Sequence, residues 1–161
     1  MRAFVIRLLL ILAVASACGA LVNAIRPKGA IAWVEDWSRY VEARAKTDGI
    51  PIVTLIEAQD IVKARNHVVL DARPRLDHDA GHLPGALSLP FEPTPADIDV
   101  VSPFLTPEQP IMTYCSGQDC DDSLLLAKWL HAHGFTNVVL FATGYEKWRQ
   151  TGQAIERSGT L

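Results

Sequence analysis

The chain has 161 residues with 15 basic and 18 acidic side chains, a net charge of −3 and only three cysteines. That length holds one domain with a proper core, and so few cysteines exclude a disulfide scaffold. Arg2, Arg7 and Arg26 are the basic residues of the first 26, so the remainder carries 15 minus 3, or 12, basic against 18 acidic side chains, a net −6 that argues against a nucleic-acid partner.

Leu8 to Ile25 is an uncharged, mostly apolar run closed by Arg26, Pro27, Lys28 and Gly29. Its length, about 18 residues, is near the lower limit for crossing a bilayer as a helix, and Ala3 to Ile6 extend it if Arg7 snorkels. Residues 1–28 are therefore expected to be a membrane anchor or signal segment. The apolar run continues through Cys18, Leu21, Val22 and Ile25, as a retained anchor would. Ala15, Ser16 and Ala17 also fit the small-residue rule for a cleaved signal peptide, and a lipoprotein signal ending before Cys18 is a third reading. All three place the rest of the chain on the extracytoplasmic side, a direction that the basic residues flanking the segment favour only gently.

Residues 29–49 follow as a connection. Trp33, Val34, Trp37, Tyr40, Val41 and Ala45 recur at helical spacing among charged residues, which predicts an amphipathic helix over 31–46 ended by Gly49. Trp33 and Trp37 suit either a membrane interface or packing on the domain.

From residue 50 the pattern is α/β. Ile52 to Ile56 reads as a short strand, Glu57 to Arg65 as a helix with Ala58, Ile61, Val62 and Ala64 inward, and Val68 to Asp71 as a fully buried strand. Strand, helix and strand in that order imply a right-handed parallel unit. Residues 71–86 alternate charge with Gly and Pro and are expected to form an ordered loop, with Ser88 to Pro90 adding a short strand. Asp71 and Arg73 leave their strand two residues apart, facing the same way, and are expected to meet opposite charges on neighbouring loops and to serve as structural salt-bridging residues. His82, between Gly81 and Leu83, reads as a satisfied loop histidine. Glu92 to Pro110 is a surface excursion with a helical turn.

Ile111 to Tyr114 and Val138 to Phe141 supply two more strands, joined through a helix over 122–133 that Gly134 stops. His131 and His133 in its last turn suit the negative end of the helix dipole as solvated side chains. Between strand and helix lies the stretch of greatest chemical interest: Cys115, then Ser116, Gly117, Gln118, Asp119, Cys120 and Asp121. A cysteine ending a buried strand is ordinarily a small core hydrophobe. The polar loop after Cys115 cannot continue a buried strand, however, so the cysteine sits where strand becomes exposed turn. There the unpaired amides and dipole of the next helix favour thiolate over thiol.

Four pieces in order, Val69 to Arg73, Asp77 to Ala86, Tyr114 and Cys115 with their loop, and Gly144 to Trp148, resemble a single rhodanese-like domain over about residues 50–157. The resemblance implies an α/β fold with a central parallel sheet flanked by helices. It implies that Cys115 is the catalytic nucleophile, taking a sulfane sulfur as a persulfide from a small donor and passing it to a thiol or cyanide. It also implies that the amides of Ser116 to Asp121 cradle the persulfide, with Asp71, Arg73 and His82 in support; no cofactor is implied. Two departures stand out. Many thiosulfate-using members carry a basic residue in the loop, whereas this loop has Asp119, Asp121 and Asp122 and no Lys or Arg. Asp121 or Asp122 can cap the helix, but Asp119 has no such role, and carboxylates here repel anionic donors and raise a thiol pKa. Phosphatase chemistry, which needs a loop arginine, is set aside. Cys120 replaces a usual Ser or Thr, and three roles remain open for it: resolving a Cys115 persulfide, cycling with Cys115 as a redox pair, or filling space at a helix start. No second ligand pair accompanies the two cysteines, so no metal is expected. A sulfurtransferase, a thiol–disulfide module and a non-catalytic binding domain are the three functional readings.

Overall fold

The computed structural model describes residues 2–25 and 40–159. The chain divides into two units, residues 1–35 and 36–161. In the first, α1 (Arg2–Ile25) is a 24-residue helix of mean hydropathy 2.5 with none of its side chains buried, long and apolar enough to cross a membrane. The expected helix over 31–46 falls largely outside the described residues, Trp33 and Trp37 included. Its described end is α2 (Tyr40–Thr47), with Val41 and Ala45 buried. Gly49 (φ 72°) ends it, letting Ile50 N–H reach back 2.9 Å to the Ala45 carbonyl.

Four parallel strands, in the order β2-β1-β3-β4, form the centre of the second unit: β1 (Val68–Asp71), β2 (Leu87–Ser88), β3 (Ile111–Tyr114) and β4 (Val138–Phe141). Asp71, Tyr114 and Phe141 lie in one register row at the carboxyl end of the sheet. Side chains alternate between two cores. Leu70, Ile111, Leu140 and Cys115 pack with α2 and with Leu124, Leu126, Ala127 and Leu130 of α6 (Asp122–Ala132). Val69, Met112, Tyr114 and Phe141 pack on the opposite face with α3 (Leu55–Ala64) and with Trp148 of α7 (Gly144–Gln150). Both faces are covered, which is why the strands read as unbroken apolar runs.

Four expectations are corrected. Residues 52–56 are not a strand: only Ile52 makes a bridge, to Leu140 of β4, so the first parallel unit does not form as a strand pair. Thr54 caps α3 instead, its hydroxyl accepting from Glu57 N–H at 3.3 Å while the Glu57 carboxylate accepts from Thr54 N–H at 2.7 Å. This reciprocal cap draws Leu55 and Ile56 into the first helical turn despite their strand propensity. Ala64, expected inward, is exposed at the helix end. Residues 71–86 contain a short helix, α4 (Arg75–Ala80), where a loop was expected; it begins after Pro74 and leaves Leu76 83% exposed, so it carries no apolar stripe to reveal it. The excursion over 92–110 holds α5 (Pro95–Val101), fuller than a single turn because Thr94 and Asp97 form a second capping box with Pro95 in the first turn.

Asp71 and Arg73 form a structural salt bridge, as expected, but with each other rather than with charges on neighbouring loops. Arg73 donates to Asp71 through Nε at 2.9 Å and Nη2 at 2.5 Å, and to the Gly81 carbonyl at 2.7 Å, with both side chains buried. Tyr114 donates its hydroxyl to Asp71 at 2.7 Å and accepts from Leu83 N–H at 3.2 Å. Burial alone would lower the Arg73 pKa, but its hydrogen bond to Asp71 and the Asp71 charge outweigh that and hold it above its ordinary value. Burial, reinforced by Asp71, pushes the Tyr114 phenol well up. Breaking this pair leaves a charge buried and uncompensated, so Asp71→Asn is expected to destabilise by about 3–5 kcal/mol. Tyr114→Phe is expected to cost about 1–3 kcal/mol. Midpoints of guanidinium denaturation check both.

Candidate functional site

Cys115 follows β3 directly, at the carboxyl end of the sheet, and its position between two fixed peptides decides its geometry. Tyr114 is held by Asp71 on one face, so the next residue points to the other, toward α6. The Cys115 carbonyl accepts from Tyr145 N–H at 2.9 Å and the Ser116 carbonyl from Glu146 N–H at 2.8 Å. The first turn of α7 thereby pins the start of the loop. That approach requires Gly144 (φ 57°), because a Cβ there would collide with the Cys115 carbonyl and crowd the Ser116–Gly117 peptide. Arg73 links this turn to the buried ion pair, its guanidinium lying 4.1 Å over the Tyr145 ring.

The loop turns back on itself through a Cys120 N–H to Gly117 carbonyl bond of 3.1 Å. Cys115 lies beneath it with no exposed surface, its sulfur 2.8 Å from the Cys120 carbonyl and 3.7 Å from that of Gly117. Ser123, in the first turn of α6, donates its hydroxyl to the Cys115 sulfur at 3.3 Å. Cys120 is half-buried, with its sulfur 3.5 Å from the Asp122 carboxylate. Both cysteines are free thiols.

The expectation that the loop amides and helix dipole favour thiolate at Cys115 is reversed. A hydrogen bond to the Cys120 sulfur, and then burial, push the Cys115 thiol far up; Ser123 opposes this only weakly. The same contact with Cys115 lowers Cys120 to about 7, helped by hydrogen bonds from Ser116 and from Asp122 N–H against its partial burial. The amides expected at Cys115 thus serve Cys120, and what faces Cys115 is mostly carbonyl oxygen, an acceptor that suits a protonated thiol. Asp121 occupies the N-cap position of α6 but makes no side-chain cap; its carboxylate lies 3.4 Å from Arg44 instead.

Above the loop, Ser116, Gly117, Gln118 and Asp119 face Thr143, Glu146, Lys147 and Gln150 across a groove of about 540 Å³. Gln118, Asp119 and Asp121 border a second hollow of about 350 Å³ beside Tyr40. Cys115 lines neither. The structure therefore brings Cys115 and the loop 116–121 together and places Asp71 and Arg73 beneath them as a brace.

His82 stands apart from the loop. Its Nδ1 is 2.7 Å from the His78 carbonyl, its ring stacks on His78 at 3.8 Å, and its backbone bridges Glu156. That agrees with a satisfied loop histidine. His131 and His133 are exposed at the end of α6, the latter with Nδ1 2.7 Å from the Trp129 carbonyl. Sequence reasoning passed over Ser123, which looks like any first-turn serine, and took Gly144 only as the start of the Gly144 to Trp148 piece, without the positive φ that the residues around it do not announce.

Residues 54–151 match the rhodanese-like domain family. The adenylyltransferase and sulfurtransferase UBA4 of Candida albicans is 32% identical over 88 residues, covering 52% of this chain and 20% of that protein. The chain thus spans about a fifth of that relative's length. The thiosulfate sulfurtransferase GlpE of Coxiella burnetii is 28% identical over 97 residues, or 60% of this chain and 85% of that one. Among solved structures, a Bacillus halodurans protein superposes with a TM-score of 0.61 at 22% identity, covering 74% of this chain and 86% of its own. A human single-domain sulfurtransferase gives a TM-score of 0.54 at 21% identity, covering 64% and 98%. At these identities the structural likeness shows the fold. With the family match covering more than half of the chain, on a four-stranded parallel sheet whose central strand leads into Cys115, the chain belongs to the rhodanese-like domain family.

Proposed function

We propose that this chain is a sulfurtransferase whose Cys115 carries a sulfane sulfur as a persulfide and passes it to a thiophilic acceptor. The observation that carries this reading is the placement of Cys115 at the end of central strand β3, its carbonyl pinned by Tyr145 N–H at 2.9 Å and its sulfur under the loop with the Ser123 hydroxyl at 3.3 Å. Sulfurtransferases among the relatives support it.

The chemistry starts from a thiol. Cys115 must lose its proton, and the group we assign to take it is the thiolate of Cys120, whose backbone carbonyl lies 2.8 Å from the Cys115 sulfur and whose thiol is lowered to about 7. The Cys115 thiolate then attacks the outer sulfur of the donor. A new sulfur–sulfur bond forms, the donor's own bond to that sulfur breaks, and the leaving group departs with the electron pair. An acceptor nucleophile next attacks the terminal sulfur and releases the Cys115 thiolate. Because Cys115 is fully buried, both steps require the loop to open. Gln118 and Asp119 border both hollows at the loop, and the groove beside α7 offers Lys147 as its one cationic side chain. Asp119, Asp121 and Asp122 work against thiosulfate as the donor.

A thiol–disulfide module is the second reading, favoured by the direct contact of Cys115 with Cys120. In either case we place the catalytic domain at residues 50–157, a connection at 29–49 and a membrane segment at 1–28 with the domain outside the cytoplasm. The 24-residue apolar α1 supports the segment.

Intact mass of the Cys120→Ser variant after incubation with thiosulfate or 3-mercaptopyruvate tests the function: a reducible gain of one sulfur atom, abolished when Cys115 is also replaced by Ser, is expected. In the wild type, loss of two hydrogens without release of sulfide, together with no gain of sulfur in Cys120→Ser from any donor, would favour the redox module instead. The order of ionisation gives a second expectation. With Cys120 lowered to about 7, its thiolate fraction rises through neutral pH, so iodoacetamide should label Cys120 with a midpoint near that value while Cys115 stays protected. Replacing Cys120 with Ala removes the largest influence raising Cys115, so Cys115 labelling should move to lower pH in that variant. Peptide mapping across a pH series reads both.

A further inference from the structure

Accepting the persulfide reading raises the question of what removes the sulfur from a residue that solvent does not reach. Cys115 has no exposed surface, so an external acceptor must first displace the loop. The external acceptors of a persulfide are themselves anions, such as cyanide or a thiolate. Asp119, Asp121 and Asp122 lie on or beside that loop, which carries no Lys or Arg, and their field opposes such an approach. Cys120 faces neither obstacle. The turn from Gly117 to Cys120 folds its backbone onto the Cys115 sulfur, 2.8 Å from the Cys120 carbonyl, and so carries the second thiol on the residue that covers the first. An attack from this position is intramolecular and avoids the entropy of bringing two molecules together.

We propose that Cys120 is a second reacting residue, the resolving thiol of a sulfur-releasing cycle. The Cys120 thiolate attacks the sulfur of the Cys115 persulfide that is bonded to Cβ. The Cys115–Cys120 disulfide forms, the bond to the terminal sulfur breaks, and that sulfur leaves with the electron pair as hydrosulfide. The two cysteines are together oxidised by two electrons and the sulfane sulfur is reduced to sulfide, so the step needs no external oxidant. Returning both thiols requires two electrons from outside, and the partner implied is a dithiol reductant. Ser116 and Asp122, which donate to Cys120, stabilise its attacking thiolate, while the Asp122 carboxylate 3.5 Å from its sulfur opposes this. The ionisation order fits the role, since the thiol that must attack without an external base is the one that ionises near neutral pH.

The test uses the full chain in detergent micelles, reduced and freed of small thiols. It is mixed with thiosulfate or 3-mercaptopyruvate, donors whose own leaving groups are not sulfide. Released hydrosulfide and intact mass are followed for wild type, Cys120→Ser and Cys120→Ala. The expected result is that both variants gain one sulfur atom and keep it. Wild type should release one hydrosulfide per chain, end two hydrogens lighter and show a Cys115–Cys120 link by peptide mapping. If wild type holds the added sulfur as the variants do, Cys120 is not a resolving thiol and the persulfide reading survives. If neither variant gains sulfur from either donor, the persulfide reading fails and this proposal falls with it.

Discussion

The buried pair of Asp71 and Arg73, completed by the Tyr114 hydroxyl, is the constraint from which the geometry of the loop follows. It joins the ends of the two central strands, β1 and β3, and holds the chain around Gly81 against them. Its charges sit where water cannot reach, so the arrangement tolerates little displacement. Because alternate residues of a strand face opposite ways, fixing Tyr114 on one side commits Cys115 to the other. Arg73 also lies against Tyr145, whose backbone N–H holds the Cys115 carbonyl. A cluster with no contact to the sulfur thus sets the direction in which the sulfur points.

Much of this was legible from residue pattern, and the parts that were not have identifiable physical causes. Val68 to Asp71, Ile111 to Tyr114 and Val138 to Phe141 have the same bounds in sequence and structure, because strands of a parallel sheet covered on both faces must be apolar throughout. Residues 52–56 have the composition of a strand, yet a threonine and a glutamate three residues apart outweigh it by satisfying helix-end donors. The helix at Arg75–Ala80 escaped because it buries only His78 and so displays no period. At the site, the loop and its cysteine were visible as an ordering of residue types. Which thiol holds the proton was not, since that depends on whether amides or carbonyls turn toward each sulfur, and spacing alone does not encode it.

The acidic loop gives this rhodanese-like domain an unusual electrostatic character. A thiolate is ordinarily stabilised by cations or by convergent amides. Here the first are missing from the loop and the second are directed at the half-buried Cys120. Cys115 is stored as a protonated, enclosed thiol, which resists adventitious oxidation and alkylation until the loop moves. In the mechanism proposed above, reactivity is governed by opening of the loop and by proton exchange between two thiols, more than by the resting ionisation of one.

The bridge at Ile52 has a consequence for how copies of this domain behave together. β4 is an edge strand, and an edge exposes a row of N–H and C=O groups on which another chain can build. Leu140 N–H is taken by the Pro51 carbonyl at 2.8 Å and the Leu140 carbonyl by Val53 N–H at 2.9 Å. Pro51 offers no N–H of its own, so the covering segment does not become a new edge. At the opposite side the sheet ends in β2, two residues long. One edge is capped and the other is too short to template a partner, which protects the folded domain from strand-by-strand aggregation at high local density.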